Sequence, residues 1–74
     1  MEDIMAESIY KVIELVGTSP NSWEDAVKKV VDEAGKTLKD LRIAEISNLD
    51  AKIENNKVVA YRAKVRLSFK YEKE

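Results

Sequence analysis

Cysteine and histidine are both missing from this chain. Without cysteine there is no disulfide framework and no thiolate metal site. Without histidine there is no imidazole to serve as general base, transition-metal ligand or switch near neutral pH. Tryptophan and proline occur once each and glycine twice in 74 residues. No apolar run approaches the roughly 18 residues of a membrane-spanning helix, so a membrane is not an expected partner. Neither sign of charge dominates: 13 basic residues against 14 acidic ones leave a net charge of −1. That balance supplies no overall basic field for nucleic acid. The lack of cysteine fits a reducing cytoplasm. The opening "MEDIMAE" is acidic and lacks the basic start of a secretory signal. Residues 1–7 are therefore read as a flexible tail, and 8–74 as a single domain.

What remains is 45% hydrophobic and 36% charged, well mixed along the chain. A single core at this length rarely supplies more than about 3–5 kcal/mol of net stability. With disulfides excluded, self-association is the support left by elimination, and an oxygen-ligated metal is a lesser possibility.

Ser8 to Val16, "SIYKVIELV", reads as a first strand ended by Gly17. Its apolar residues fall on both parities, as in a strand covered on both faces or lying at a subunit contact. Ser22 to Thr37 reads as a helix. Ser22 is the N-cap, and Asp25 three residues on resembles a capping box with Asp in place of Glu. Trp23, Ala26, Val27, Val30, Val31 and Ala34 follow one helical stripe. Gly35 marks the frayed last turn. Leu41 to Glu54 and Lys57 to Glu72 read as two further strands, joined by a turn at "ENNK" because Asn tolerates positive φ. The last strand alternates: Tyr61, Ala63, Val65, Leu67, Phe69 and Tyr71 on one face, Arg62, Lys64, Arg66, Ser68 and Lys70 on the other. In the strand before it the apolar parity switches, which predicts a bulge near Ser47–Asn48.

The order is β-α-β-β, an α+β class: a three-stranded antiparallel sheet packed on one helix. Strands this long reach well beyond a single helix, and the uncovered sheet and edges must meet something. The sequence thus argues for a symmetric homo-oligomer.

At these residues the chain resembles the dodecins. "YKVIELVGTSPNSWEDAV" is the specific signature; "KTLKDLRIAEI" and "YRAKVRLSFKY" continue the match in pattern. The resemblance implies a small β-α-β-β protein assembled as a hollow homododecamer. It also implies binding and storage of a small ligand or ion rather than catalysis. Flavin-binding dodecins stack the isoalloxazine on a Trp early in the second strand, which gives a flat π surface. The matching position here is Ile43, in "IAEI" beside Glu45. A Gln that follows Tyr in the third strand is matched by Arg62, and an Arg in the middle of the second strand by Asp50. Three flavin-linked positions have changed together, which argues against flavin as the cofactor. The same replacements resemble the calcium-dodecin branch, which implies calcium.

Calcium takes six to eight oxygens, and no EF-hand loop is present. The candidate metal ligands are Asp50, Glu24, Asp25 and Glu14, with the carbonyls of 17–21. The candidate ligand-binding residues are Ile43, Arg62 and Glu45. Each has a plainer explanation. Glu24 and Asp25 stabilise the first turn of a helix without any metal. For Asp50, solvent exposure or a salt bridge is favoured over ligation. Arg62, Lys64, Arg66 and Lys70 form a same-face basic row that could track a phosphate or nucleotide. A solvated face or intersubunit ion pairs with Glu45 and Glu54 are favoured instead, because the net charge is slightly negative. No catalytic arrangement is found: Ser19 and Ser22 have turn and cap duties, and a nucleophile would need an activating base. Two other readings stay open, a flavin-sequestering dodecin with a variant pocket and a structural or partner-binding module.

Overall fold

The computed structural model describes residues 9–71. The elements are β1 (Tyr10–Ser19), α1 (Trp23–Ala34), β2 (Leu41–Glu54) and β3 (Lys57–Lys70). They form one antiparallel sheet in the order β1-β3-β2. The tail expected at 1–7 lies outside the described residues. The strands expected to start at Ser8 and to end at Glu72 start later and end earlier: β1 begins at Tyr10 and β3 ends at Lys70, with Ile9 and Tyr71 outside both.

Two further expectations are corrected. β1 does not end at Gly17 but continues to Ser19, because Gly17 and Ser19 stay paired with Ala63 and Tyr61 of β3. The helix stops at Ala34 rather than Thr37. Gly35 caps it with its own N–H on the Val31 carbonyl, and Lys36 and Thr37 only close a turn. At the other end Ser22 is the N-cap as expected: its Oγ accepts from the Asp25 N–H at 3.0 Å. Such a cap contributes about 1 kcal/mol.

The β2–β3 turn is a two-residue one. Asn55 and Asn56 stand at φ 52° and 63°, as the right-handed strand twist demands of such a turn. The bulge expected near Ser47–Asn48 is present as a register shift between Ile46 and Asn48. It keeps Ile46 and Leu49 on one face, opposite Val65 and Ala63. Two more shifts occur, between Leu41 and Ile43 and between Lys52 and Ile53.

The core is small: Ala26, Val30 and Ala34 of α1 against Ala63, Val65 and Leu67 of β3. The helix lies over β1 and β3 and barely reaches β2. At about 1.5 Å per residue the twelve helical residues cover far less length than fourteen strand residues at about 3.4 Å. The chain is accordingly long and narrow, 51 × 21 × 18 Å. Ile43, Leu49, Ile53, Val16 and Val58 are left about half exposed or more. Among the described residues no helix is long and apolar enough to cross a membrane.

Candidate functional site

The candidate residues fall on two layers. Ile43, Glu45, Asp50, Arg62 and Glu14 share the face of the sheet that points away from α1; their cross-strand partners place them there. Asp50 lies opposite Arg62, Ile43 opposite Ser68, and Arg66 stands between Glu14 of β1 and Glu45 of β2. Ser22, Glu24 and Asp25 sit on the other layer, at the start of α1.

Asp50 and Arg62 are brought together most tightly. Arg62 donates from Nε to Oδ1 at 2.6 Å and from Nη2 to Oδ2 at 2.8 Å. This fork-on-carboxylate geometry is the strong form of an ion pair. The Arg62 hydrogen bonds hold the Asp50 carboxyl below its ordinary value of 3.8 against a smaller opposing effect of desolvation. Asp50 in turn raises Arg62. Behind the pair, the indole N–H of Trp23 donates to the Asp50 carbonyl at 2.9 Å. The indole also meets the Tyr61 ring edge-on, centroids 5.0 Å apart. Trp23 therefore joins the start of α1 to the middle of β2. Asp50 is held by its backbone from one layer and by its carboxylate from the other.

The remaining candidates are apart. Asp25 accepts from Ser19 Oγ at 2.6 Å and pairs with Lys29 at 3.4 Å. The bond from Ser19, which is itself buried, is the main cause of a lowered Asp25 pKa. Glu45 approaches Arg66 at 3.8 Å, while Glu54 pairs with Lys52. Glu45 thus finds its basic partner within the chain, and Glu54 takes a lysine outside the basic row. Ile43 is exposed. Among the described residues no three acidic side chains converge as a metal cluster would require.

The salt bridge offered as a plainer role for Asp50 is present, but its partner Arg62 and the Trp23–Asp50 bond are links that sequence reasoning missed. Counting back from the Asn55–Asn56 turn without a bulge sets Asp50 opposite Tyr61; the shift between Lys52 and Ile53 moves it to Arg62.

The lowered carboxylates carry a pH dependence of definite sign. A carboxyl that ionises more readily in the folded chain adds stability above the unfolded pKa, about 3.8, and that stability is lost as pH falls through the folded value. Thermal midpoints measured between about pH 6 and pH 2 should fall on acidification. Asp50→Asn should flatten the acid limb; an unchanged acid limb would show that the pair adds nothing to folding.

The dodecin family model matches residues 9–72 of this sequence. The chain belongs to the dodecin family. It is similar to the calcium dodecin of Mycobacterium tuberculosis, 40% identical over 63 residues, which span 85% of this chain and 89% of the relative. Among solved structures, the dodecin from Streptomyces coelicolor superposes with a TM-score of 0.88 at 33% identity, covering 95% of this chain and all of the other. The crystal structure of the calcium-chelating M. tuberculosis calcium dodecin, with its novel calcium-binding site, superposes with a TM-score of 0.78 at 38% identity, over 88% of this chain and 93% of the other. Dodecins are small binding and storage proteins. As a dodecin, the chain carries an aliphatic, exposed Ile43 and a closed Asp50–Arg62 pair on the sheet face that points away from α1.

Proposed function

We propose that this dodecin binds calcium within a homododecameric shell in the cytoplasm. The observation that carries the reading is the trio Ile43, Asp50 and Arg62. Ile43 offers no aromatic plane for an isoalloxazine. Arg62, forked onto Asp50, is turned inward to its own carboxylate rather than outward to a flavin edge. The 40% identity to a calcium dodecin supports the same choice of ligand. A calcium ion wants six to eight oxygens, and one copy gathers no acidic cluster among its described residues. The ion would therefore draw carboxylates, carbonyls and water from more than one copy. Asp50 is the leading carboxylate, with Glu14 and Asp25 as further oxygens.

Because Arg62 occupies both Asp50 oxygens, calcium at Asp50 competes with a guanidinium. Calorimetry on chelator-stripped protein should therefore show heat on calcium addition. Asp50→Asn should weaken binding by about tenfold or more, as expected for loss of a charged ligand oxygen, and Arg62→Gln should tighten it. No calcium heat in the wild-type protein would sink the reading. Titration with FMN or riboflavin should leave flavin fluorescence largely unquenched; strong quenching would restore the variant-pocket flavin dodecin.

A further inference from the structure

A groove of about 570 Å³ runs between the first two turns of α1 and the middle of β2. Trp23, Val27, Ile46 and Leu49 line it, and Glu24 and Lys28 stand at its rim. It exists because α1 lies over β1 and β3, so the helix-side residues of β2 lack a cover from their own chain. Ile46 and Leu49 consequently remain exposed, and Trp23 stays 38% exposed despite its contacts with Tyr61 and the Asp50 carbonyl.

We infer that this groove is a contact between copies of the chain, in which Glu24 of one copy pairs with Lys28 of another. The inference rests on the assembly proposed above and names where two copies meet. Three observations select a second copy as the occupant. The rim holds one charge of each sign, four residues apart and hence on one helix face. A two-fold axis through this patch would set Glu24 of each copy against Lys28 of the other without any other partner. Within the chain the two do not pair: the neighbouring Lys29 and Asp25 do, and Glu24 and Lys28 form no salt bridge with each other. The floor is apolar and lies against an exposed strand face that a core this small does not cover. A central apolar patch inside a rim of complementary charge is how protein interfaces are built. This use takes Glu24 out of the calcium ligand set.

The test exchanges charge between copies. Glu24→Lys and Lys28→Glu are made separately, one of them labelled with ¹⁵N, and each is sized by native mass spectrometry alone and after equimolar mixing. Each variant alone should lose most of the wild-type assembly to smaller species, with its far-UV circular dichroism retained. Mixing should restore a full-size particle that contains both labelled and unlabelled chains. Repulsion within one helix would persist on mixing, so restoration reads the contact between copies. Variants that assemble as the wild type does, or a mixture that stays dispersed, would overturn the contact while leaving the calcium dodecamer standing. A wild-type chain that is monomeric under the same conditions would overturn both.

Discussion

Leu67→Ala should destabilise the protein by about 3 kcal/mol, read as a fall in the midpoint of thermal or urea unfolding. Leu67 is only 1% exposed and is the largest fully buried side chain among the described residues. The six-residue core includes three alanines, Ala26, Ala34 and Ala63, which have no side chain with which to fill a gap. Truncation removes the transfer free energy of the lost methyl groups and leaves a cavity that such neighbours cannot close. The consequence is large because so small a core rarely supplies more than about 3–5 kcal/mol in all. The variant should therefore be at or near the limit of folding alone. A loss below about 1 kcal/mol would mean that the site collapses, and that the core is softer than the packing of β3 against α1 implies.

Gly17→Ala should cost a similar amount, about 3 kcal/mol, at the upper end of what an inserted methyl costs in a packed site. The reason is not backbone strain, since neither described glycine has positive φ. A Cβ built on Gly17 collides with the Val30 Cγ2 methyl and comes to 2.6 Å from the Ala26 carbonyl oxygen. A methyl can turn aside; a helix carbonyl moves only if the helix lifts from the sheet. Val30→Ala should accordingly relieve part of the Gly17→Ala defect and not all of it. Full rescue by Val30→Ala would show that the carbonyl approach is unimportant. Chemical denaturation of the two single variants and the double variant separates these results.

How far the sequence discloses such features depends on whether they are local. The Ser22 cap, the helical stripe and the Asn55–Asn56 turn rest on residues within a few positions of one another, and all three are present. The alternation of β3 correctly singles out Ala63, Val65 and Leu67 as the buried side. Gly17 was legible as a breaker, yet its use is the opposite: it sits inside a strand and admits a helix. That role depends on a contact with Ala26 and Val30 that no local pattern announces. The bulge at Ser47 was visible because it reverses apolar parity. The shift between Lys52 and Ile53 left no comparable trace, because the residues around it are exposed and place little hydrophobic constraint on register. The Asp50–Arg62 pair depends on that shift, and so the centre of the candidate site was hidden even though both of its residues had been singled out.

Trp23 has a consequence for observing the molecule. It is the only indole in the chain, and it touches both halves of the structure that matter here. Its N–H holds the Asp50 carbonyl, its ring meets Tyr61 in a T-shaped contact, and it lines the groove on α1. A single intrinsic fluorophore therefore stands between the ion pair and the groove. Its emission wavelength responds to covering of the groove, and energy transfer from Tyr61 responds to the joint between helix and hairpin. One spectrum of the unlabelled protein thus reports on both places at once.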